Sequence, residues 1–564
     1  MKKVISIALC IAIIASLFTS SFTAEGKGKV YGDYNCVVMK NKTLKITKYK
    51  GNREYVTIPD KIDGKPVTAI GDKAFSYCSC FKGISLPKGL KTIGEYAFYG
   101  CSKLKEIIIP DSVRTIGGWS FSSCTSAEKL IIGKGVTTIG YNAFESCTNL
   151  TEISIESEKL ENAESGIFSL TSFFDNQDNW DNGALYVGRY LVKINGDADE
   201  NFRVKEGTIG LFNDSLNDYY LSQNKTVKTL YIPKSVKYIG ECFSAMNFDY
   251  ELETIILDEE NPFFTCQDGI LFSKDMKKLV LAPLINNNTK SYTVPNGVET
   301  IGRGAFQFSL FEEVKLPDTL KTLCHRCFCN SSIKSIDIPK NVSYIGAQAF
   351  YNVKIEEIIL PKKITKISGG AFEFTNLKHI KIPKNVKSIE SSAFYGTPLE
   401  SAELNEGLKT IASQAFRDCK NLKTLYVPKS VERIDKYFAT PGLIVQGYRG
   451  SYAEERYLSA KKTGYVDFKF KAIDPKAPEK TIATGLKGKI KIRYKKVKNA
   501  GGFQVKLIFG NRKTVKTYKT KKSLTKEIKG LKAGTYKIKI RAFSLFKGKR
   551  VYGKWAKTKT VKVI

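Results

Sequence analysis

Hydrophobic positions recur along this chain at a fixed period. The six-residue segment IGEYAF at residues 93–98 returns as IGDKAF, IGYNAF, IGRGAF and IGAQAF. The phenylalanine that closes the segment recurs every 23 residues in the first part of the chain and every 22 residues further on. A spacing of this size predicts a solenoid of stacked repeats. The recurring positions are Phe75, Phe98, Phe121, Phe144, Phe306, Phe328, Phe350, Phe372, Phe394 and Phe416.

A second hydrophobic segment lies upstream of each phenylalanine. Its copies include LKEIIIP at residues 104–110, IEEIILP at 355–361 and LKTLYVP at 422–428. These segments are rich in β-branched residues, which favour strands, and the proline that ends them cannot donate to a sheet. One short strand per repeat is therefore predicted, with equivalent residues of neighbouring repeats about 4.8 Å apart. At that distance each phenylalanine stacks on the next, while the alanine and glycine leave room for the backbone.

The combined pattern L-x-x-I-x-I-P-x-x-V-x-x-I-G-x-x-A-F-x-x-C resembles the leucine-rich repeats of the BspA-type family of bacterial surface proteins. The resemblance covers residues 25–473, with an entry segment at 31–75 and an exit segment, GYRGSYAEERYLSAKKTG, at 447–464. It implies a β-rich leucine-rich-repeat solenoid of short parallel strands, with an N-terminal hairpin cap and a C-terminal cap at 443–473. It also implies a secreted or surface-displayed protein that binds other molecules and performs no chemistry.

The amino terminus has the composition of a secretory signal peptide. Lys2 and Lys3 precede an uncharged apolar run at residues 4–18, which is shorter than the roughly 20 apolar residues needed to span a bilayer. We expect residues 1–24 to be removed, which leaves a mature chain without a transmembrane segment. The alternative is an uncleaved anchor. The expected location is secreted, extracellular or associated with the cell wall.

The repeat pattern loosens near residues 152–292. The stretches at 180–208 and 261–283 contain alternating apolar runs with Asn-Gly and Lys-Asp turns, which predict hairpins inside longer repeats. Insertions often project from one face of a solenoid and contact partners, although they are also tolerated as surface decoration. A carbohydrate-active enzyme or accessory would place its site here, around Trp180, Asp181 and Asp197.

Thirteen cysteines are present, and in a secreted chain that number normally indicates disulfides. Their positions favour another interpretation, because five of them fall three residues after a column phenylalanine and would be small buried groups. We expect reduced thiols, although neighbouring repeats would bring some pairs within disulfide range. These five residues are Cys78, Cys101, Cys124, Cys147 and Cys419.

The sequence CHRCFC at residues 324–329 has three thiols and one histidine at a spacing found in metal sites. On the repeat pattern, however, Cys324 occupies the glycine position, Cys327 the alanine position, and Phe328 is the column phenylalanine. No second pair of ligands follows nearby in the sequence, whereas zinc normally has four ligands. We therefore predict an ordinary repeat with cysteines at its small positions, and neither a metal nor a cofactor.

Catalytic motifs are missing from the sequence. It has two histidines, His325 and His379, and no G-x-S-x-G, H-E-x-x-H or phosphate-binding loop. We expect no enzymatic activity, because one exposed strand column has mixed charges and lacks the paired carboxylates of a glycosidase. The predicted members of that column are Lys315, Asp337, Ile359, Lys381, Glu403 and Tyr426.

Charge divides the chain into two parts. The whole chain has a formal net charge of +35, and residues 474–564 alone have 29 Lys and Arg against three Asp and Glu, a net +26. Alternation in KIKIRYKKV and TYKIKIRAF predicts strands with one apolar and one cationic face. The order of these segments resembles a fibronectin type III-like β-sandwich, with Leu531 and Tyr536 placed as in its tyrosine corner. Tyr494 stands where that family usually has tryptophan.

The cationic faces of this domain predict a polyanion-binding surface. Only four of the basic residues are arginine, and lysine attracts anions as a hydrated point charge without reading their shape. We expect an anionic cell-wall polymer, although extracellular nucleic acid and acidic glycans are alternatives, as is a purely solubilising role. The candidate residues are Lys491, Arg493, Arg512, Lys513, Lys521, Lys522, Lys537, Lys539, Arg541, Lys549 and Arg550.

Together these patterns predict a right-handed solenoid at residues 25–473 and a basic all-β domain at 474–564. The expected function is binding or adhesion at the cell surface: the solenoid presents a surface to a protein or glycan ligand, and the basic domain attaches to an anionic polymer. The alternatives are a structural surface-layer component and the carbohydrate-active enzyme or accessory described above.

Overall fold

The computed structural model describes residues 29–195, 197–213, 215, 227–240, 252–283, 290–464, 466–473, 478, 481–494, 497, 500–519, 525–546 and 549–564. The predicted signal peptide lies outside these residues. The chain forms two compact units. The first extends to Lys363 and includes Ala371–Thr375, and the second consists of Ile364–Gly370 and Asn376–Ile564.

In the first unit each repeat forms one coil, and its first strand pairs in parallel with the equivalent strand of a neighbouring coil. The coils are in register, since Leu130 pairs with Ile107 on one side and Ile153 on the other. Side chains alternate, so that Ile107 and Ile109 are buried while Ile108 faces solvent. The strands of this first ladder are Tyr55–Thr57, Gly83–Ser85, Glu106–Ile109, Lys129–Ile132, Glu152–Ile155, Asn201–Arg203, Thr229–Ile232, Thr254–Leu257, Ser291–Thr293 and Glu313–Lys315.

A second parallel ladder is formed by the short strands that precede the glycine of each repeated segment. Its isoleucines point into the core, and Ile93, Ile116 and Ile139 pair directly across coils. The strands are Lys65–Ile70, Thr92–Ile93, Thr115–Ile116, Thr138–Ile139, Asn162–Ala163, Gly210–Leu211, Tyr238–Ile239, Thr300–Ile301, Thr322–Leu323 and Tyr344–Ile345.

The turn that contains the column phenylalanine adds a third ladder of backbone hydrogen bonds. Tyr96 N–H donates to Gly118 O at 2.9 Å, and Phe98 N–H donates to Ser120 O at 2.6 Å. The backbone is left-handed two residues before and two residues after the phenylalanine, as at Tyr96 with φ of 54° and Gly100 with φ of 70°. Gly100 N–H likewise donates to Ser122 O at 2.9 Å, whereas Tyr99 N–H donates within its own turn, to Tyr96 O. The turn therefore donates toward the next coil with every second residue.

The first unit begins with an antiparallel cap. Lys29–Tyr31, Tyr34–Val38 and Leu44–Tyr49 pair antiparallel, and the last of them joins the second ladder through Lys65–Ile70. A short strand, Lys61–Ile62, pairs antiparallel with the same ladder strand. The cap also extends the core, because the Tyr49 ring stacks on Phe75 at 5.2 Å.

The expanded repeats carry their hairpins within the coil stack. One contains Trp180–Asp181, Ala184–Val187 and Tyr190–Ile194, and the other Phe264–Gln267, Ile270–Ser273 and Lys278–Leu281. In each case the last strand takes a place in the second ladder, with Tyr190 opposite Gly210 and Lys278 opposite Thr300. An α-helix, Ser172–Asp175, and a 3-10 turn, Gln177–Asn179, precede the first set. These strands contribute buried side chains such as Leu191 and Leu271, so they are part of the core.

The second unit continues with coils of the same design. Its first-ladder strands are His379–Lys381, Ser401–Glu403, Thr424–Tyr426, Ile444–Tyr448 and Lys469–Ile473, and its second-ladder strands are Lys366–Ile367, Ser388–Ile389, Thr410–Ile411 and Arg433–Ile434. The α-helix Tyr452–Lys462 packs against the last of these coils. Below it the buried Asp467 accepts the N–H of Tyr437 at 3.0 Å and lies 3.2 Å from the Arg456 guanidinium.

The C-terminal residues of the second unit form two antiparallel sheets around one core. The first contains Ile482–Leu486, Lys489–Arg493 and Thr525–Lys529, and the second contains Arg512–Lys519, Gly502–Phe509, Gly534–Phe546, Lys549–Tyr552 and Lys559–Val563. Ile490 and Ile528 of the first sheet share a cluster with Val505 and Ile540 of the second. The Tyr536 hydroxyl donates to the carbonyl of Lys532 at 3.1 Å.

Candidate functional site

The phenylalanine columns are structural. In the first unit Phe75, Phe98, Phe121 and Phe144 are fully buried, with ring centroids 4.8–5.5 Å apart and nearly parallel planes. The later rings of that unit, from Phe306 through Phe328 and Phe350 to Phe372, repeat this geometry at 5.3–5.6 Å, and in the second unit Phe394 and Phe416 lie 5.4 Å apart. These columns hold successive coils together and present nothing to solvent.

The cysteine column has a specific role in the turn. Cys101, Cys124 and Cys147 each place the thiol 3.2–3.4 Å from the carbonyl oxygen of the column phenylalanine in the preceding coil. Cys419 does the same in the second unit at 3.0 Å. The 11 described cysteines are all free. Burial raises the pKa of Cys78 and of Cys419 to about 11, which keeps both thiols protonated and, at Cys419, available as a donor.

The CHRCFC segment forms a regular coil. Cys324 N–H donates to Ile301 O at 3.0 Å, as the glycines of other coils do, and Phe328 stacks between Phe306 and Phe350. Cys327 is fully buried, and burial raises its pKa well above the usual value. Among the described residues, no group of three His, Cys, Asp or Glu side chains is arranged to hold a metal ion.

The residues considered for an enzymatic site are each engaged in local structure. Trp180 Nε1 donates to the carbonyl of Phe174 at 2.9 Å. Asp181 lies 3.8 Å from the Lys205 ammonium, and the backbone N–H of Asp197 donates to a side chain in its own turn.

The outward residues of the first ladder form ion pairs between coils. Lys129 and Glu152 approach to 2.9 Å in the first unit, and Lys381 and Glu403 to 2.8 Å in the second. His379 lies beside this second pair, with Nδ1 2.9 Å from the Ser401 hydroxyl. Of the predicted mixed-charge column, Lys381 and Glu403 therefore neutralise each other across coils, whereas Lys315 lies 3.7 Å from Glu313 of its own strand.

The predicted polyanion-binding residues fall on two opposite sheets of the C-terminal domain. Lys491 and Arg493 lie on the outer face of the three-stranded sheet, because the intervening Ile490 and Ile492 are buried. Glu527, on the same face, forms an ion pair with Lys489 at 3.2 Å.

The outer face of the five-stranded sheet is more uniformly cationic. Lys537 and Lys539 alternate with buried Ile538 and Ile540, and the register places Lys539 directly opposite Lys506 of the neighbouring strand. Lys513 lies on the same face, opposite Ile508. Like charges opposite one another destabilise a sheet, and no carboxylate lies on this face among the described residues. The face is therefore suited to a bound anion.

Arg541 differs from its neighbours on that face. Its guanidinium donates to Gln504 Oε1 at 2.7 and 2.9 Å and lies over the rings of Tyr552 and Trp555, at 4.1 and 4.4 Å from their centroids. Its side chain is half-buried and its guanidinium is already bound by these groups. Arg541 therefore stabilises the face more than it contributes to anion binding. Arg550 lies 5.5 Å from the Phe543 ring centroid.

The remaining candidates lie at the ends of strands or outside the description. Arg512 is exposed at the tip of a hairpin. Lys521 and Lys522 lie outside the described residues, as does the side chain of Lys549. Lys506 is not among the residues predicted from the sequence, although its place in the alternation of QVKLIF indicates an outward-facing side chain.

Comparison with known proteins agrees with the coil geometry. Residues 68–177, 284–397 and 343–440 match the BspA type leucine rich repeat region, in six copies. No match was found among curated proteins. Among the described residues, no helix is long and apolar enough to cross a membrane.

Solved structures of leucine-rich repeat proteins are similar at low identity. A leucine-rich repeat protein from Eubacterium ventriosum is 19% identical, with 73% of this chain and 94% of that chain covered and a TM-score of 0.32. A leucine rich cell surface protein from Faecalibacterium prausnitzii is 21% identical, covering 78% and 98% with a TM-score of 0.26. The pneumococcal vaccine antigen PcpA is 17% identical, covering 80% and 100% with a TM-score of 0.26.

Proposed function

We propose that this protein, whose coils are BspA-type leucine-rich repeats, is a secreted bacterial surface protein that binds or adheres to other molecules. Its solenoid presents a surface to a protein or glycan, and its basic C-terminal domain, of the fibronectin type III-like class, attaches to an anionic polymer of the cell wall. The proposed function includes no catalytic step.

The outer face of the five-stranded sheet is the observation that carries the attachment proposal. Lys506, Lys513, Lys537 and Lys539 share this face without a described carboxylate among them. A typical small domain has a net charge of about 2 to 8, so the +26 of residues 474–564 far exceeds what solubility requires. Lysines favour a polymer with many separated charges over a single planar anion.

The assignment of the domain class is supported by its sheets. A three-stranded sheet packs against one in which the strand order is Arg512–Lys519, Gly502–Phe509, Gly534–Phe546, with two short strands beside the last. The hydrogen bond from the Tyr536 hydroxyl to a backbone carbonyl four residues upstream has the form of a tyrosine corner.

Co-sedimentation with Gram-positive wall sacculi tests the attachment. The mature chain, residues 25–564, is compared with a variant carrying Lys506→Gln, Lys513→Gln, Lys537→Gln and Lys539→Gln. The control carries four exposed solenoid lysines changed in the same way: Lys40→Gln, Lys88→Gln, Lys134→Gln and Lys384→Gln.

We expect the wild type and the control to pellet with sacculi at low salt, and less so as salt rises or as anionic polymers are stripped. The sheet variant should remain largely in the supernatant. Equal loss in both variants would show that only total charge matters, and pelleting that persists without the polymers would contradict the attachment proposal.

A further inference from the structure

Five aromatic side chains form a continuous row on the turn side of the first coils, which we term the aromatic row. The row consists of Tyr77, Tyr99, Tyr96, Trp119 and Tyr141. Neighbouring ring centroids along it lie 5.3, 5.6, 5.1 and 5.1 Å apart, and the rings of Tyr96 and Trp119 are parallel within 4°. Tyr77 is 72% exposed and the other four are half-buried.

The fold does not require aromatic residues at these positions. Trp119 lies two residues before its column phenylalanine, where the equivalent residue of the next coil is Asn142 and a later coil has Gln348. All three have left-handed backbone, with φ of 49°, 52° and 53°, a conformation that asparagine tolerates better than a bulky side chain. An aromatic residue here is unfavourable for the backbone, and the rings of Tyr96 and Trp119 are partly exposed, so we infer that they serve a role at the surface.

Polar groups with a net negative charge surround the row. Burial, and then the nearby carboxylates of Glu95 and Glu145, raise the pKa of Tyr96, and burial raises the pKa of Glu145 itself. Glu95 lies beside Asp72, which accepts its backbone N–H at 3.0 Å. The ammonium of Lys73 lies over the ring of Tyr96, 5.3 Å from its centroid. Carboxylate groups of this kind accept hydrogen bonds from hydroxyl groups.

We propose that the aromatic row binds a neutral polysaccharide along the direction in which the coils stack. This inference rests on the proposed binding role of the solenoid and names the ligand class for that role. Sugar rings have an apolar face and a hydroxyl-bearing edge, which matches aromatic rings flanked by hydrogen-bond acceptors.

Two features of the row favour such a ligand over other occupants. Aromatic rings from four consecutive coils contact one another in succession, which suits a ligand that extends across several coils. The carboxylates of Asp72, Glu95 and Glu145 outnumber the nearby cation Lys73 and disfavour an anionic chain, because like charges in one site repel. The wall polymer proposed for the C-terminal domain therefore does not suit the row, and the two surfaces bind different ligands.

The test uses the mature chain with cellohexaose, chitohexaose and mannohexaose as neutral probes and polygalacturonate as an anionic one. Binding is followed by calorimetry and by tryptophan fluorescence. The variants are Trp119→Asn and Tyr96→Asn, which introduce the residue that Asn142 provides at the same backbone position, one coil beyond Trp119 and two coils beyond Tyr96. Phe374→Asn is the matched control, because it is a 39%-exposed aromatic with φ of 58° whose equivalent in the preceding coil is Asn352.

We expect at least one neutral hexasaccharide to bind more tightly than polygalacturonate, with about tenfold weaker binding for each row variant and no change for the control. Unchanged circular dichroism spectra would show that the variants are folded. The inference is overturned if no neutral hexasaccharide binds at millimolar concentration, if the row variants bind as the wild type does, or if polygalacturonate binds best. Continued wall sedimentation of the same proteins would show that only this inference, and not the surface attachment, had failed.

Discussion

Removal of the Asp467 carboxylate should open the last coils of the second unit. This residue is 2% exposed, its carboxylate lies 3.2 Å from a guanidinium whose side chain is itself 11% exposed, and it accepts the N–H of Tyr437 at 3.0 Å. In Asp467→Ala the guanidinium of Arg456 is left buried without its counter-ion and the Tyr437 amide is left without its acceptor. Breaking a buried pair in this way costs about 3–5 kcal/mol.

The loss should be local, because repeats depend mainly on their nearest neighbours. Hydrogen exchange followed by mass spectrometry measures it directly, since a loss of about 3 kcal/mol speeds exchange from the opened state more than 100-fold. Peptides covering residues 424–448 should show this change, whereas those from the first unit should not.

Two substitutions calibrate the result. Asp467→Asn keeps an oxygen acceptor for the Tyr437 amide while removing the charge, and should lose less than alanine does. Glu403→Gln breaks an ion pair whose side chains are 81% and 68% exposed, and should cost only about 0–1 kcal/mol. If exchange at residues 424–448 in Asp467→Ala rises no more than in Glu403→Gln, the buried pair does not close this end of the coils.

Three further predictions concern the core and the coil junctions. Phe121→Ala should lower the free energy of unfolding, measured in urea, by about 3–5 kcal/mol because it leaves a cavity in the column. Phe121→Leu should recover part of this loss. Equal losses in the two variants would contradict the prediction. Burial raises the pKa of Cys419 to about 11, whereas the pKa of a cysteine in an unfolded chain is about 8.5. Between these pH values the folded state keeps a proton that the unfolded state releases. The free energy of unfolding should therefore fall as the pH rises from about 8.5 to about 11. Cys419→Ala should flatten that fall in Tm, and an unchanged slope would contradict the assignment. Arg303 forms a bidentate pair with the partly buried Glu164, 139 positions away, at 3.0 and 3.1 Å. Glu164→Gln should lower the free energy of unfolding by roughly 1–3 kcal/mol. If that loss vanishes in high salt, the pair behaves as an exposed ion pair and the prediction is wrong.

The periodic features of the fold were predictable from the sequence because each coil buries the same kinds of side chain at the same positions. The phenylalanine spacing of 22 and 23 residues fixed the coil length, and the alternation in EIII and KLII identified which residues of the first ladder are buried. The place of Cys324 in CHRCFC followed from the same register, and its backbone hydrogen bond to Ile301 agrees with it. In each case the physical requirement recurs often enough to be visible.

Features that occur once were not predictable in this way. Asp467 and Tyr437 are separated by 30 positions and meet only after the last coil has folded. Arg541 has the alternation of an exposed cation, yet its guanidinium is taken up by Gln504 and two aromatic rings from the neighbouring chain segment. Alternation identifies the face on which a side chain lies, whereas its partners depend on strand pairing across the sheet.

Because of the third ladder, one cap must donate hydrogen bonds to the coils and the other must accept them. In the described turns the N–H groups of this ladder point toward the following coil, and the carbonyls that accept from them point toward the preceding one, as between Phe98 and Ser120. The first turn therefore exposes acceptors, and the N-terminal cap supplies a donor, the Tyr49 N–H, to Ala74 O at 2.8 Å. A final turn exposes donors, and in the second unit the buried carboxylate of Asp467 accepts one of them from Tyr437. Because buried backbone groups must be paired, exchanging a donor for an acceptor at either cap would leave orphaned groups, so the caps cannot replace one another.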